Sequence, residues 1–264
     1  MVQHSVAAPL GVLRGDTSKG VALSTTVTYT PIPEDAKHLF LKPRNFSTAV
    51  VARVLINPYL TVLKTADALA TAPTDYSSAA QDGSTSTDVV LSSLGTAAQS
   101  DYLYVGSLIP FGGVNIDVDA ANGTASVITV KYRKSDDTWA DITATDGTAS
   151  GGASMAVDGS VTWTAPSDWK KASLIAAGDT NLQSPLLGTE MFWTRWEFSG
   201  GLDSSTTLNA MLAISKETLY FELVSGDTFE MAIERPYHAV IQAVADAGTA
   251  NLIINYATDP GGYF

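Results

Sequence analysis

The sequence contains no cysteine among its 264 residues. The chain therefore cannot form a disulfide, use a thiol as a nucleophile or bind zinc through thiolates. The three histidines, His4, His38 and His238, are far apart in the sequence, and none has a spacing that would place two imidazoles on one metal. The sequence therefore predicts neither a metal site nor a cofactor.

Charged residues are scarce, and basic ones most of all. Only 16% of residues are charged, with 15 Lys and Arg against 27 Asp and Glu, which gives a net charge of −12. Nucleic-acid binding needs clustered cations that neutralise phosphates, so a nucleic-acid partner is not expected. No apolar run is long enough for a membrane span, and Met1–Leu10 lacks the charged start and apolar stretch of a secretory signal. A membrane partner is not expected either.

Sequence motifs for catalysis are also missing. No G-x-S-x-G elbow precedes a helical pattern, and the loop Gly15–Gly20 lacks the spacing of a phosphate-binding loop. Asp117–Gly123 is rich in side-chain oxygens, but an EF-hand would need a bidentate Glu where Ile128 stands. Arg14-Gly15-Asp16 matches an integrin-binding triplet, and chance explains three letters equally well. The chain is therefore expected not to be an enzyme.

Hydroxyl and β-branched residues dominate instead. The chain has 55 Ser and Thr, and 45% of its residues are hydrophobic, which is enough to bury a core. Alternating segments recur between turn signals such as Phe111-Gly112-Gly113, and helix signals are thin, with at most a short turn within Ser167–Ala177. Strands are predicted at Asp88–Leu94, Tyr102–Leu108, Val114–Val118, Ser126–Arg133, Trp139–Thr143, Ser160–Thr164, Met191–Phe198 and Leu208–Ser215.

The predicted fold class is all-β, with an antiparallel β-sandwich or jelly-roll module flanked by a smaller β region. The module spans residues 76–217, between an N-terminal β region with an extended arm (1–75) and a C-terminal β region (218–264). Neither flank is long enough for a comfortable core, so the two flanks are expected to pack together. In the C-terminal flank, His238–Val244 and Asn251–Tyr256 are predicted to form a hairpin.

All five tryptophans fall in the middle section. Exposed aromatic side chains on a β-sandwich can stack on sugar rings, whereas buried ones fill the space between sheets. Trp139, Trp163 and Trp193 are predicted to be core residues. Trp193 and Trp196 are three positions apart and should point to opposite faces of one strand, so one of the two is expected to be partly exposed.

Four stretches of the middle section resemble a β-sandwich module that recurs in virion proteins of tailed bacteriophages. They are DYLYVGSLIPFGGVNIDV (Asp101–Val118), SVITVKYRKSDDTWADITATDGT (Ser126–Thr148), GSVTWTAPSDWKKASL (Gly159–Leu174) and MFWTRWEFSG (Met191–Gly200). They match a "lyvG..pF" strand pair, a "ltveY..g..W" hairpin, a "G.vtw..P.dW" segment and a "yWvR" strand. The polar insertion Asp179–Glu190 departs from this pattern.

The resemblance implies a structural or attachment role in the virion, assembled in the host cytoplasm, without catalysis. The leading expectation is a head decoration (cement) protein, homo-oligomeric in the particle and bound in many copies to the major capsid protein or other virion proteins. The alternatives are a tail, neck or baseplate component, or a carbohydrate- or receptor-binding β-sandwich.

Charge is unevenly distributed along the chain. Residues 1–75 sum to +2, residues 76–217 to −9 and residues 218–264 to −5. The basic N-terminal part is therefore expected to face the particle while the acidic module projects into solvent. The residues predicted to contact the partner are Arg14, Lys19, Lys37, Lys42 and Arg44.

Overall fold

A computed structural model describes most of the chain. The described residues are 13–14, 20–44, 50–65, 72–92, 94–96, 98, 100–177, 189–216, 220–235, 237–248 and 250–257. They contain β-strands and one short 3-10 turn, Ala79–Gln81, and no α-helix. The all-β prediction is confirmed, and fifteen pairs of the described strands are antiparallel.

The described strands are numbered in chain order. They are β1 (Leu13–Arg14), β2 (Val21–Leu23), β3 (Thr28–Pro31), β4 (His38–Arg44), β5 (Ala52–Asn57), β6 (Thr61–Lys64), β7 (Thr74–Asp75), β8 (Val89–Val90), β9 (Leu103–Ser107), β10 (Phe111–Ala120), β11 (Ile128–Arg133), β12 (Trp139–Asp141), β13 (Thr145–Asp146), β14 (Gly159–Thr162), β15 (Phe192–Phe198), β16 (Thr207–Ser215), β17 (Phe221–Leu223), β18 (Phe229–Ala232), β19 (Val240–Ala245) and β20 (Ala250–Ala257).

The chain divides into two compact units. Unit 1 joins residues 1–55 with residues 219–264, and unit 2 is the continuous stretch 56–218. The boundary predicted at residue 75 differs from this division because β6 pairs with β9 and β7 in a sheet of unit 2. Residues 56–65 and 72–75 therefore belong structurally with the middle section.

Unit 1 is assembled by pairing strands from the two ends of the chain. The long strand β20 pairs along its length with β4, and its other edge pairs with β1 and β2. In a second sheet, β19 pairs with β3 and β17 pairs with β5. Alternate residues of β4 and β20, such as Leu39, Leu41, Leu252 and Ile254, are buried. Strands of each flank therefore complete sheets that include strands of the other.

The hairpin predicted between β19 and β20 is wrong. These strands lie in different sheets, because β19 stands between β5 and β3 whereas β20 pairs with β4. The segment between them therefore crosses from one sheet to the other. Two alternating segments joined by a short polar connection can form a hairpin or can lie in different sheets. The choice depends on which strands of the N-terminal flank are available for pairing.

Unit 2 consists of two antiparallel sheets. One has the strand order β13-β14-β10-β16-β8, and the other has the order β12-β11-β15-β9-β6-β7. Their facing residues form one hydrophobic core, in which Val114, Val161 and Met211 of the first sheet join Val105, Val130 and Trp196 of the second. Two sheets around a common core are compatible with a β-sandwich.

The predicted turn at Phe111-Gly112-Gly113 is instead the start of β10. The pairing of β10 with β16 shifts register between Phe111 and Gly113, as at a β-bulge. A Cβ at Gly112 would lie 2.9 Å from the Ser215 carbonyl oxygen, and one at Gly113 would lie 2.6 Å from the Val161 carbonyl oxygen. These glycines let neighbouring strands approach closely, which sequence alone does not distinguish from a turn.

Candidate functional site

The outer face of the six-stranded sheet carries a group of aromatic and basic side chains. Tyr104 of β9, Trp193 and Arg195 of β15 and Trp139 of β12 lie on this face with Tyr102, which precedes β9. Trp193 and Arg195 share a face because they are two positions apart on a strand. These five residues are called the aromatic–arginine cluster below. The cluster also packs against the buried side chains of Leu63, Leu174 and Met191.

Arg195 lies between two aromatic rings of the cluster. Its guanidinium carbon is 4.5 Å from the ring centre of Tyr102 and 4.8 Å from that of Trp139, distances at which cation–π attraction operates. Arg195 Nε donates to Glu197 Oε1 at 2.9 Å, and Arg195 Nη2 lies 2.8 Å from the same oxygen. Lys131 Nζ lies 2.7 Å from Glu197 Oε2. One mostly buried carboxylate thus forms ion pairs with two cations.

Trp193 occupies the centre of the cluster, against the neighbouring strand. It pairs with Gly106 of β9, and a Cβ on that glycine would lie 2.5 Å from Trp193 Cε3. The rings of Tyr104 and Trp193 meet edge to face with centres 6.4 Å apart. Glycine at position 106 therefore makes room for the indole to lie flat on the sheet.

A second aromatic group lies in the core between the two sheets of unit 2. Trp196 and Trp163 meet edge to face at 6.4 Å, and Phe111 contacts both Trp163 and Trp169. Each of these three indoles donates a hydrogen bond: Trp163 to the Phe111 carbonyl, Trp169 to the Trp193 carbonyl, and Trp196 to Thr194 Oγ1. This group therefore fills the space between the sheets with its polar atoms satisfied.

The prediction that Trp193 or Trp196 is partly exposed is wrong, because both are fully buried. They point to opposite faces as predicted, but the outer face is covered as well. Trp163 is 8% exposed within the core, whereas Trp139, also predicted to be core, is only partly buried at the side of the cluster. Trp139 is therefore the one tryptophan of the described residues with appreciable exposure.

Three N–H groups of this region have no acceptor among the described residues: Trp139 Nε1, Trp193 Nε1 and Arg133 Nε. Arg133 lies beside the cluster, with its guanidinium carbon 5.9 Å from the Trp139 ring centre. Buried donors of this kind are costly unless an acceptor reaches them. The cluster is a packed group of aromatic rings around one guanidinium, in which Tyr102, Tyr104 and Trp193 are buried.

Six aspartates of unit 2 serve as turn formers. In each, a side-chain oxygen accepts the backbone N–H two residues later, where a Ser or Thr stands. The signal D-x-[S/T] is readable in the sequence and explains why acidic and hydroxyl residues occur together. The pairs are Asp75 with Ser77, Asp82 with Ser84, Asp136 with Thr138, Asp141 with Thr143, Asp146 with Thr148, and Asp203 with Ser205.

Asp203 has the strongest such role. Its carboxylate accepts the N–H groups of Gly123 and Ser205 and the hydroxyls of Ser205 and Thr206. These bonds favour the charged form and lower its pKa to about 2, with the Gly123 N–H as the largest cause. Asp203 therefore ties the loop after β15 to the loop after β10.

The oxygen-rich segment Asp117–Gly123 is spread over a strand and a turn. Asp117 accepts from Asn209 Nδ2 and Asp119 from Thr207 Oγ1, both across to β16, while the buried Asn122 donates to the Thr124 and Ser154 carbonyls. No group of three His, Cys, Asp or Glu within the described part of the chain could hold a metal ion.

Of the three histidines, two lie within the described residues, one in a strand and one in a loop. His38 lies in β4, and His238 Nδ1 accepts the Glu234 N–H, with burial lowering its pKa. His4 lies outside the described residues, as does the Gly15-Asp16 part of the Arg14-Gly15-Asp16 triplet.

The five residues predicted to contact a partner do not form one patch. Lys42 and Arg44 are exposed on the same face of β4, and Lys37 is exposed just before that strand. Arg14 lies in β1, where its backbone pairs with Tyr256, and Lys19 lies outside the described residues. These residues are close together in the sequence. In the structure, strand pairing separates Arg14 from the exposed end of β4.

The division into units also changes the charge argument. Unit 1 contains seven basic and nine acidic residues, a net charge of −2, because the acidic C-terminal flank joins the basic N-terminal one. Unit 2 contains eight basic and 18 acidic residues, a net charge of −10. Unit 1 is therefore nearly neutral rather than basic, and only local patches can attract an acidic partner.

No helix within the described ranges is long and apolar enough to cross a membrane. No protein-family model matches the sequence, and no curated protein matches it at a significant level.

Proposed function

We propose that this chain is a non-enzymatic structural protein of a tailed-bacteriophage virion, bound in many copies to the head as a decoration protein beside the major capsid protein. The observation that carries the proposal is where the four phage-like stretches lie in the fold. They supply β9 and β10, β11 to β13, β14, and β15. Among these, β11, β15 and β9 are direct neighbours in one sheet, and β14 and β10 are neighbours in the other.

Strand order supports a jelly roll for unit 2. A jelly roll winds eight strands as two Greek keys over two sheets, an architecture common in viral capsid domains and lectins. Here β8-β16-β10-β14 and β9-β15-β11-β12 are contiguous runs of the two sheets. Along the chain, β8 to β11 alternate between the sheets, β12 stays in the second, and β14, β15 and β16 alternate again. This sequence of crossings supports an arrangement of two Greek keys around one core.

The use of polar residues also supports a structural role. Aspartates and hydroxyls stabilise turns, and Glu197 forms ion pairs with Arg195 and Lys131 within the sheet face. Residues that form such bonds stabilise loops and strand ends. A protein exposed on a particle surface requires stable loops of this kind.

The test is the number of copies in a purified particle, measured by quantitative mass spectrometry against the major capsid protein. A head decoration protein should be present in hundreds of copies, following the symmetry of the capsid lattice. About a dozen copies or fewer would indicate a tail, neck or baseplate component instead. Absence from purified particles would overturn the virion assignment.

One observation favours a carbohydrate-binding alternative. Trp139 is partly buried at the side of the aromatic–arginine cluster, and a partly exposed indole is a common platform for a sugar ring. Its ring, however, already contacts Arg195 and Tyr104, which leaves less of it for a ligand. Glycan-array binding that is abolished by Trp139→Ala but retained by Trp163→Phe would support this alternative over decoration.

A further inference from the structure

Asn122 and Gly123 form the one Asn-Gly pair in the sequence. Asparagine is among the chemically labile residues of proteins, and it reacts most readily before glycine, because no side chain shields the next backbone nitrogen. In that reaction the Gly123 nitrogen attacks Asn122 Cγ, the bond from Cγ to Nδ2 breaks, and the Gly123 proton leaves with Nδ2 as ammonia. Water then opens the cyclic imide at either carbonyl, which gives aspartate or isoaspartate. Position 122 is therefore a candidate site of deamidation.

The fold holds the Asn122 side chain in a position that opposes this reaction. Asn122 is 2% exposed, and its Nδ2 donates to the carbonyl oxygens of Thr124, at 2.9 Å, and Ser154, at 3.0 Å. Its Oδ1 accepts the N–H groups of Thr124, at 3.1 Å, and Asp203, at 3.2 Å. Bond formation between Asn122 Cγ and the Gly123 nitrogen requires the amide group to turn out of the position that these four hydrogen bonds define. The amide is therefore protected while the bonds persist.

Asp203 also restrains the attacking nitrogen. The Gly123 N–H donates to Asp203 Oδ2 at 2.7 Å, while the Asp203 N–H donates to Asn122 Oδ1. Loss of the Gly123 proton would leave a negatively charged nitrogen beside a carboxylate, which like-charge repulsion disfavours. The Asp203 carboxylate is itself fixed by the N–H of Ser205 and the hydroxyls of Ser205 and Thr206. One residue therefore acts on both reacting groups, on the nitrogen through its carboxylate and on the amide through its backbone.

We propose that Asn122 is a latent modification site, which loses ammonia to become aspartate or isoaspartate when its loop contact with Asp203 opens. The product cannot restore that contact. A carboxylate at position 122 has no N–H to donate to the Thr124 and Ser154 carbonyl oxygens, and it adds a second negative charge beside Asp203. Deamidation therefore permanently weakens the connection between the loop after β10 and the loop after β15. Asp203 is a positioning residue that sets the rate, and this chemistry is independent of any role in a virion.

The experiment follows deamidation at position 122 in the full chain at a mildly alkaline pH, by peptide mass spectrometry with chromatographic separation of isoaspartate. The folded wild type should react at least about 100-fold more slowly than the same chain in denaturing urea, because the reaction needs opening of the loop. Asp203→Ala should raise the rate in the folded chain about tenfold, because it removes the acceptor of the Gly123 N–H. Asp203→Asn keeps an oxygen that can accept this N–H and should raise the rate less.

Gly123→Ala tests the chemical route. A Cβ at Gly123 meets Asp203 Oδ2 at 3.6 Å, which is ordinary van der Waals contact, so the fold can accept the substitution. The added methyl group hinders attack by the backbone nitrogen. Combined with Asp203→Ala, it should therefore slow deamidation at position 122 relative to Asp203→Ala alone, and it should do the same in the urea-unfolded chain.

Two controls separate opening of this loop from a general loss of stability. Asp141→Ala removes another turn-forming carboxylate, which accepts the Thr143 N–H. Trp139→Ala destabilises the same unit at the aromatic–arginine cluster. Both variants should deamidate at position 122 at close to the wild-type rate, and far-ultraviolet circular dichroism establishes that each variant is folded. An Asp203→Ala variant that reacts no faster than these controls, or a folded wild type that reacts as fast as the urea-unfolded chain, would overturn the proposal.

Discussion

The indole of Trp193 lies directly against the backbone of Gly106 on the paired strand, with only 2.5 Å between Trp193 Cε3 and the position that a Cβ would take. This contact between β15 and β9 packs the aromatic–arginine cluster against its sheet.

Gly106→Ala is therefore expected to destabilise the protein by about 1–3 kcal/mol, the usual cost of overpacking. The added methyl group must displace a fully buried indole ring. Urea unfolding followed by tryptophan fluorescence measures the change. Gly151→Ala is a useful control, because a Cβ there meets nothing within 4 Å, although its φ of +59° adds some backbone strain. A loss at Gly106 no larger than at Gly151 would contradict the contact.

Trp163→Ala should cost ~3–5 kcal/mol of unfolding free energy, because the substitution leaves a cavity between the sheets. It also removes the donor to the Phe111 carbonyl. Trp139→Ala is the matched comparison and should cost only about 1–2 kcal/mol, because Trp139 is partly exposed. Thermal and chemical unfolding of the two variants should rank them in this order, and equal costs would refute the assignment of Trp163 to the core.

Arg195 and Trp139 should be energetically coupled. A double-mutant cycle with Arg195→Ala and Trp139→Ala is expected to give a coupling energy of about 0.5–1 kcal/mol, as for a partly exposed cation–π pair. Arg195→Lys should retain attraction to Glu197 but lose the planar stacking between the rings. Additive single-mutant effects would show that the contact between the guanidinium and the indole contributes nothing.

Asp203 should make stability depend on pH at the acid end. Its pKa is lowered to about 2 in the folded protein, below the ordinary value of ~3.9 for an unfolded aspartate. The ionised carboxylate therefore stabilises the fold above about pH 4, and this contribution is lost as the pH falls towards about 2. The stability difference between wild type and Asp203→Asn should shrink over that interval in denaturant titrations.

Ser205→Ala tests the cause of that effect. It removes one of the hydroxyl donors to Asp203 while leaving the two backbone donors in place. The acid-dependent part of the stability should become smaller but not vanish. A wild type and an Asp203→Asn variant that lose stability in parallel between pH 4 and pH 2 would contradict the role given to this carboxylate.

The all-β class could be read from the sequence because alternation with a period of two is a local property. Segments such as Ser126–Arg133 and Met191–Phe198 show it directly, and the structure has β11 and β15 there. The turn-forming aspartates are equally local, since each bonds a residue two positions later. Short-range bonds and side-chain alternation need no knowledge of the rest of the chain.

The pairing partners of the strands were decided only by the tertiary structure. The segments around β19 and β20 fit a hairpin in the sequence, but longer-range pairing with β3 and β4 separates them into two sheets. The same pairing joins the basic and acidic flanks, so that a charge of +3 on residues 1–55 and −5 on residues 219–264 becomes −2 in unit 1.

Burial of a given tryptophan also depends on what covers its side of the sheet. The sequence by itself determined that Trp193 and Trp196 face opposite ways, because strand geometry fixes that relation. Whether both faces are covered depends on segments far away in the chain, here Leu174 and Tyr104 on the outer face and Trp163 on the inner one. Such coverage arises from long-range packing, which no local pattern encodes.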